Sequence, residues 1–232
     1  MAVILPPGAI NTGEPVVPRP SATVVLIRGS RPWELLLVRR PGGADFAPGA
    51  YVFPGGTVHA GDRGAADEIK AAGLRELFEE AGILLARRGR AQAKESDCVL
   101  VRARIAQGDT FTAALAACGL TPAFDRLVPL ARWVTPAVLS RRYDARFYLA
   151  RMPAGQSVLP QEGEVVDWLW TTPARALEDP AITLVYATRS VLETVATGES
   201  ASAIFARARN QREVPVVEPR MVETESGWVV ER

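Results

Sequence analysis

Several kinds of residue are scarce in this chain of 232 residues. Cysteine occurs only at Cys98 and Cys118, so no disulfide framework is indicated and a reducing compartment is expected. No apolar run approaches the roughly 18 residues that a membrane-spanning helix needs, and the first residues lack the basic segment of a secretory signal. We therefore expect a cytoplasmic protein without a membrane partner.

An excess of charge of either sign is also missing. Lysine and arginine total 27 against 26 aspartates and glutamates, which gives a formal net charge of +1. A protein that coats nucleic acid needs a strongly basic surface, so no nucleic-acid partner is expected. Apolar residues make up 48% of the chain, and this content is typical of a globular domain with a core of its own.

Mixed strand and helix signals predict an α/β (α+β) fold with a mixed sheet. Five prolines mark residues 1–20 as an extended lead-in. The main domain is expected over 21–180, with a helical insertion at about 85–125. C-terminal helices and a hairpin that turns at 226–227 would pack on the same domain over 181–232. The predicted strands cover residues 22–28, 34–40, 51–53, 127–134, 145–150 and 164–170. The predicted helices cover residues 65–81, 97–105, 112–118, 173–177, 184–197 and 200–209.

Three glutamates of the first predicted helix form the clearest candidate site. Glu76, Glu79 and Glu80 share one helix face because their spacings are three and four, and Leu74 and Leu77 lie on the opposite face. Three like charges one turn apart repel, so they need a cation, and an oxygen-only donor set suits Mg²⁺ or Mn²⁺. Since Mg²⁺ often shares its shell with substrate phosphates, this set indicates metal-assisted cleavage of a phosphoanhydride.

A glutamate-rich helix face is often just a solvated surface, so the neighbouring residues decide. Gly55 and Gly56 precede the helix and permit a close backbone approach, which lets a carbonyl point at an ion. Arg75 stands directly before the first glutamate, and Gly82 follows the last one. These neighbours favour a catalytic site over a solvated face.

Residues 75–83, Arg-Glu-Leu-Phe-Glu-Glu-Ala-Gly-Ile, resemble the second half of the Nudix box at each defined position. Gly56 matches the opening glycine of that box. Asp62 then stands at the family's next acidic position, but an insertion separates it from the arginine. An alternative alignment uses Gly61 and Asp67 and keeps the standard spacings. We prefer the first alignment because its glycine follows a predicted strand.

The resemblance implies a Nudix α/β/α sandwich and hydrolysis of a nucleoside diphosphate that is linked to another moiety. A small-molecule nucleotide would be the partner, and Glu76 would also activate the attacking water. A further carboxylate is expected from the loop before a late strand, where Glu162 is favoured over Glu164. The implied ligands of Mg²⁺ or Mn²⁺ are Glu76, Glu79, Glu80 and the carbonyl of Gly56. Structural roles are implied for Arg75, Gly55 and Gly82.

Residues 36–56 are similar to the signature that precedes the box in coenzyme A diphosphatases, and residues 142–150 resemble the peroxisomal-type branch. This likeness implies coenzyme A or its thioesters as substrate. Arg40 and Arg146 are the candidates for binding substrate phosphates, since guanidinium forks match phosphate oxygens. Asp45 stands where the signature has a second arginine, which predicts weak affinity for the 3′-phosphate. Another dinucleotide or a nucleotide sugar is the alternative substrate.

A function of a different class fits the C-terminal order of helix, helix and hairpin over 184–230. A winged helix there would make the protein a ligand-sensing transcription regulator. However, six arginines and no lysine stand against seven glutamates between residues 180 and 232, which disfavours DNA binding. The intact glutamate set also favours an enzyme. The sequence leaves a homodimer open.

Overall fold

The computed structural model describes residues 2–3, 8–44, 47–224 and 227–231. Strands form chiefly where β-branched and apolar residues run together. They are β1 Ala2–Val3, β2 Arg19–Gly29, β3 Trp33–Arg39, β4 Tyr51–Val52, β5 Gly55–Thr57, β6 Ala86–Arg88, β7 Ala91–Gln92, β8 Thr121–Pro122, β9 Val128–Val134, β10 Tyr143–Arg151, β11 Asp167–Thr171, β12 Val216–Val217, β13 Arg220–Thr224 and β14 Gly227–Glu231. The helices are α1 Glu68–Ala81, α2 Glu95–Ala106, α3 Phe111–Ala117, α4 Pro173–Glu178, α5 Tyr186–Ala196 and α6 Ala201–Asn210.

A mixed sheet organises the domain. Over the described ranges its strand order is β11-β3-β2-β10-β9-β12, with β4 beside β3 and β5 beside β2. Strand β10 runs parallel to β2 and antiparallel to β9. The short strand β5 pairs with the start of β2, where Gly56 lies opposite Ala22. This pairing fixes the Gly55–Gly56 pair on the sheet rather than in a free loop.

Helices cover both faces of this sheet. On one face α1, α2 and α3 pack on a core that includes Leu26 and Leu36. On the other face α4, α5 and α6 pack on a core that includes Ile27 and Leu35. Neighbouring residues of one strand enter different cores because side chains alternate along a strand. The predicted α/β/α sandwich with a mixed sheet is confirmed.

The segment between α1 and β9 contains more than the predicted helices. Helices α2 and α3 form near the expected residues, but a small sheet of order β7-β6-β8 accompanies them. These strands are two or three residues long, which is too short for an alternating pattern to be read in the sequence.

The C-terminal helices and hairpin lie in different parts of the molecule. Helices α5 and α6 bury Leu192 and Phe205 in the core of the large sheet, whereas the β13–β14 hairpin pairs with β1 in a separate sheet. This arrangement does not support a winged helix, in which helices and hairpin pack together. Part of the predicted turn, Ser226, lies outside the described residues. Among the helices that the structure describes, none is both long and apolar enough to cross a bilayer.

Candidate active site

Helix α1 carries the three glutamates, and local chemistry fixes both of its ends. The Asp67 carboxylate caps the first turn and accepts a hydrogen bond from the Lys70 backbone N–H at 3.0 Å. Gly82 ends the helix in the left-handed conformation, with φ at +73°. A Cβ atom at Gly82 would overlap the carbonyl of Leu159, so the glycine also lets a later loop approach the helix. This geometry fits the structural role predicted for Gly82.

Arg75 lies at the centre of the site and is only 6% exposed. Its guanidinium donates to Asp62 at 3.0 Å, to Glu76 at 2.8 Å, to Glu79 at 2.9 Å and to the carbonyl of Thr57 at 2.8 Å. Burial opposes the charge on Arg75, but the hydrogen bond with Asp62 and the charge of Glu76 hold its pKa above the usual range. Arg75 is therefore a fixed cation that orders three carboxylates, which fits its predicted structural role.

Asp62 distinguishes the two alignments of the sequence motif. Its side chain is fully buried, and it accepts hydrogen bonds from Arg75 and from the His59 backbone N–H at 2.8 Å. The rival position, Asp67, serves as the helix cap instead. The geometry therefore agrees with the alignment that starts at Gly56 and contains an insertion.

Gly56 lies against the carboxylate of Glu76. A Cβ atom at this position would overlap that carboxylate, so glycine alone leaves room for it. Glu76 is 8% exposed. Burial raises the pKa of Glu76, Arg75 opposes this rise, and the charges of Glu164 and Asp62 add to it. Glu76 is thus a buried carboxylate that accepts a proton more readily than an ordinary glutamate.

Glu80 is less exposed to solvent than either Glu76 or Glu79. It is 6% exposed, and its carboxylate accepts a hydrogen bond from the Gly55 backbone N–H at 2.8 Å. Burial raises the pKa of Glu80 to about 8; the charge of Glu76 adds to the rise, while the Gly55 N–H and Arg40 oppose it. A Cβ atom on Gly55 would lie 2.7 Å from the Cα atom of Thr23, so the sheet also requires glycine here.

The burial of the glutamates bears on the solvated surface that the sequence left as the alternative to a site. Glu76 and Glu80 are buried because β5 covers the helix face that carries them, and only Glu79 keeps partial exposure. Burial raises the pKa of Glu79 as well, and Arg75 opposes that rise. The solvated-face interpretation is therefore excluded for this helix.

Three carboxylates in this site, those of Asp62, Glu76 and Glu79, bond to one buried guanidinium, and Glu80 adds a fourth carboxylate that bonds to the Gly55 N–H instead. Excess buried negative charge calls for protons or a cation, and donors that are all oxygen suit Mg²⁺ or Mn²⁺. Within the described residues, no three acidic, histidine or cysteine side chains converge as metal ligands do. Arg75 instead engages oxygens of Glu76 and Glu79. The donor set and its charge fit a divalent cation, provided that these carboxylates turn toward it.

The loop between β10 and β11 runs along the end of α1. The Leu159 N–H donates to the Ala81 carbonyl at 2.9 Å, and the Gln161 N–H donates to the Glu79 carbonyl at 2.8 Å. These are carbonyls of the last helical turn, which have no partner within the helix. The loop is therefore bound to the same turn that carries the glutamates.

This loop holds both candidates for the late carboxylate, Glu162 and Glu164, and both are exposed. Glu164 raises the pKa of Glu76, Glu79 and Glu80, so its charge reaches the cluster. Glu162 is not among the main causes of these shifts. The choice of Glu162 stays a prediction, but the electrostatics favour Glu164.

Sequence analysis missed Gln156, which fixes the start of this loop. Its side chain is 7% exposed and forms three hydrogen bonds to the backbone. It accepts from the Leu84 N–H at 2.8 Å and donates to the carbonyls of Leu84 at 3.0 Å and Ala93 at 2.9 Å. If the side-chain amide of Gln156 were reversed, its NH₂ group would face the Leu84 N–H, so only the orientation described allows these hydrogen bonds. No local sequence signal marks such a glutamine, since its role depends on partners far along the chain.

The two predicted phosphate-binding arginines lie in different places. Arg40 follows β3, is half-buried, and its charge lowers the pKa of Glu80, so the fold brings it to the cluster. Arg146 is exposed on β10, where it forms a hydrogen bond with Tyr148, whose pKa is also raised by Asp67. Asp67 caps the N-terminal end of α1. An α-helix rises about 1.5 Å per residue from that end to the glutamates.

Arg146 lies opposite Ala22 of β2, and Ala22 in turn lies opposite Gly56 of β5. The predicted contact of Arg146 with substrate stays a prediction. The strand that carries Arg146 was identified from the sequence, but which end of the helix it would meet depends on the sheet register. Asp45, the other position weighed for phosphate binding, lies outside the described residues.

The sandwich, the glycine pair and the glutamate helix together define the class of protein. The family model described as the NUDT19 Nudix domain matches residues 66–186, more than half of the chain. The chain therefore belongs to this family of Nudix hydrolases, and the predicted resemblance is confirmed. The matched region contains α1 and the late loop, whereas the Gly55–Gly56 pair and Asp62 precede it.

Individual relatives agree with this assignment. The chain is 28% identical over 160 residues to putative nudix hydrolase 7 of Caenorhabditis elegans, covering 68% of this chain and 53% of that protein. It is 27% identical to the human acyl-coenzyme A diphosphatase NUDT19, covering 69% of this chain and 63% of that protein. The chain thus spans less than two thirds of either relative.

A solved structure supports the same fold. The NUDIX hydrolase from Alicyclobacillus acidocaldarius superposes with a TM-score of 0.69 and is 27% identical, covering 82% of this chain and 96% of that one. The agreement extends over nearly the whole of the bacterial protein, so the sandwich described above is the Nudix fold.

Proposed function

We propose that this chain cleaves a phosphoanhydride bond in a nucleoside diphosphate linked to another group, with Mg²⁺ or Mn²⁺ as cofactor. The observation that carries the proposal is the set of three carboxylates around Arg75, with the Glu80 carboxylate beside them on the Gly55 N–H of the Gly55–Gly56 pair. Like charges buried together destabilise a fold unless a cation compensates them. A metal ion that takes part in the reaction would compensate these charges, which accounts for carboxylates buried close together.

When bound, Mg²⁺ polarises a phosphoryl oxygen and lowers the pKa of a water molecule. Glu76, Glu79 and Glu80, together with the Gly56 carbonyl, would hold the ion. Glu76 also orients the attacking water and accepts its proton, since burial has raised its pKa toward the working pH. Arg75 keeps these carboxylates in place while their charges change.

Two further residues complete the proposed site. Glu164 takes the role of the late carboxylate, as a ligand or as a second base, because its charge acts on Glu76, Glu79 and Glu80. Arg40 contacts a substrate phosphate, for which its guanidinium offers two parallel donors. Arg40 lies on the side of the cluster where Glu80 is buried.

Coenzyme A or one of its thioesters is the proposed substrate, cleaved to 3′,5′-ADP and a phosphopantetheine fragment. Two observations support this choice: the signature-like residues 36–56, and the acyl-coenzyme A diphosphatases among the relatives. A homodimer and a cytoplasmic location stay predictions from the sequence.

The test is turnover of coenzyme A by the purified chain with and without Mg²⁺, with 3′,5′-ADP measured by chromatography. Glu76→Gln and Glu80→Gln are the test variants, and Glu193→Gln, on an exposed face of α5, is the matched control. We expect metal-dependent release of 3′,5′-ADP by the wild type and the control alone.

Two results would contradict the proposal in different ways. Turnover that persists in both glutamate variants would remove the cluster from catalysis. A kcat/KM for ADP-ribose or diadenosine polyphosphates more than about tenfold above that for coenzyme A would keep the hydrolase and reject the substrate.

A further inference from the structure

Two large apolar side chains are exposed at one edge of the large sheet. Val166 is 61% exposed and Trp168 is 39% exposed. They lie on or just before β11, which is the edge strand of the large sheet. Tryptophan has a large apolar ring that normally gains from burial, so an exposed one on a rigid strand is a candidate for binding.

The strand register shows which face of the sheet this pair occupies. Trp168 pairs with Val38 of β3, and the Val166 N–H donates to the Arg39 carbonyl at 3.0 Å. Val38 and Trp170 belong to the core beneath α1. Since alternate residues of a strand share a face, Trp168 faces the α1 side together with Trp170, where the glutamate cluster lies.

Arg40 lies on the same face, two residues beyond Val38. Diagonal neighbours on adjacent antiparallel strands are about 7–8 Å apart, which is the spacing expected between Trp168 and Arg40. Arg40 is also the cation whose charge acts on Glu80. A glutamate cluster, a phosphate-binding cation and an exposed ring therefore follow one another along one face of the sheet.

We propose that Trp168 is a stacking platform for the nucleobase of the substrate while Arg40 contacts the adjoining phosphate. The inference rests on the proposed function, because it assigns a subsite of the same site. A ribose links base and phosphate at about the spacing between Trp168 and Arg40. Aromatic side chains on a sheet surface bind bases in this way because every base has a π-face.

The surroundings of Trp168 favour a base over an acyl chain. The ring lies at the edge of a sheet, with charged Arg40, Glu164 and Asp167 near it in register or sequence. A flexible alkyl chain gains free energy when a concave apolar surface removes it from water. A planar heterocycle with polar edges can stack on one face and keep its edges hydrated.

The experiment measures binding rather than turnover. The probes are the α,β-methylene analogue of ADP, which carries a base, and methylene diphosphonate, which carries none, each titrated calorimetrically in the presence of Mg²⁺. We expect Trp168→Ala to weaken the ADP analogue about tenfold and to leave the diphosphonate unchanged. Trp168→Phe should retain most of the affinity because its ring still stacks. Trp228→Ala, in the separate terminal sheet, is the matched control.

Three outcomes would overturn the inference. An unchanged affinity of Trp168→Ala for the ADP analogue would show that the base binds elsewhere, and an equal loss for both probes would indicate distortion of the site. If 4′-phosphopantetheine depended on Trp168 and the ADP analogue did not, the surface would belong to the other half of coenzyme A. Trp168-dependent binding without coenzyme A hydrolysis would instead support the platform and reject the proposed substrate.

Discussion

The two faces of the large sheet use the same strands but contain different chemistry. The face covered by α5 and α6 is closed by apolar side chains, such as Leu192 and Ile204, that are fully buried. The face covered by α1 contains an equally apolar core next to charged side chains that are almost as deeply buried. These buried charged residues are Asp62, Arg75, Glu76 and Glu80. The difference indicates that one face supplies stability, while the other holds a charged site that lowers stability and provides function.

The largest expected effect separates function from stability on the α1 face. Glu80→Gln should lower kcat by at least about a hundredfold, because it removes a proposed metal ligand. In the presence of EDTA the variant should unfold at the wild-type temperature or above, since glutamine, unlike Glu80, does not have to take up a proton when it is buried near Glu76. Steady-state kinetics and thermal unfolding test the two parts. A variant with normal kcat, or one that is strongly destabilised without metal, would contradict this account of the α1 face.

The reverse result is expected on the other face. Leu192→Ala removes a fully buried side chain from the core beneath α5, and such truncations lower the free energy of unfolding by about 2–5 kcal/mol. The kcat of the folded fraction should not change, because the residue belongs to the core on the opposite face of the sheet. Denaturant unfolding and active-site-normalised kinetics test this. A fall in kcat at unchanged stability would show that the two faces are not separable.

The sequence predicts the elements on both faces but not the state of the charged residues. Helical periodicity and Gly82 define α1 within a few residues, and the box-like residues 75–83 identify its function. The burial of Glu76 depends on β5, whose contact with α1 is a tertiary event. Composition cannot distinguish that helix face from a solvated one.

The same reason explains why local patterns do not show the surroundings of two further residues. Gln156 bonds to Leu84 and Ala93, more than sixty residues earlier in the chain, so no spacing rule marks it. Arg146 lies opposite Ala22, and only the parallel register of β10 and β2 determines this position. In both cases the missing information is which distant segments meet.

A pH titration of stability would sharpen the contrast between the faces. In the unfolded chain a glutamate titrates near 4.5, whereas folded Glu80 titrates near 8. Between these values the folded state holds a proton that the unfolded chain has released, so the free energy of unfolding falls as the pH rises. The raised pKa values of Glu76 and Glu79 act in the same direction.

We expect the fall to be on the order of 3–4 kcal/mol between about pH 5 and pH 8 in EDTA. Denaturant unfolding across this range measures it. Glu80→Gln should flatten the slope, while Leu192→Ala should shift the whole curve down without changing its slope. A wild-type stability that rises over the same range would mean that the cluster is ionised and compensated without metal.

The smallest expected effect concerns the 3′-phosphate of coenzyme A. Asp45 stands where the related signature has a second arginine, and a carboxylate repels a phosphate group. We therefore expect kcat/KM for coenzyme A and for dephospho-coenzyme A to agree within about threefold in Mg²⁺. Asp45→Arg should lower KM for coenzyme A and leave dephospho-coenzyme A unchanged, whereas Glu178→Arg, at the exposed end of α4, should alter neither. A wild-type preference for coenzyme A of about tenfold, equivalent to about 1.4 kcal/mol, would show that another group binds the 3′-phosphate. The residues that give specificity for the 3′-phosphate would then lie outside residues 36–56, the segment that is similar to the signature.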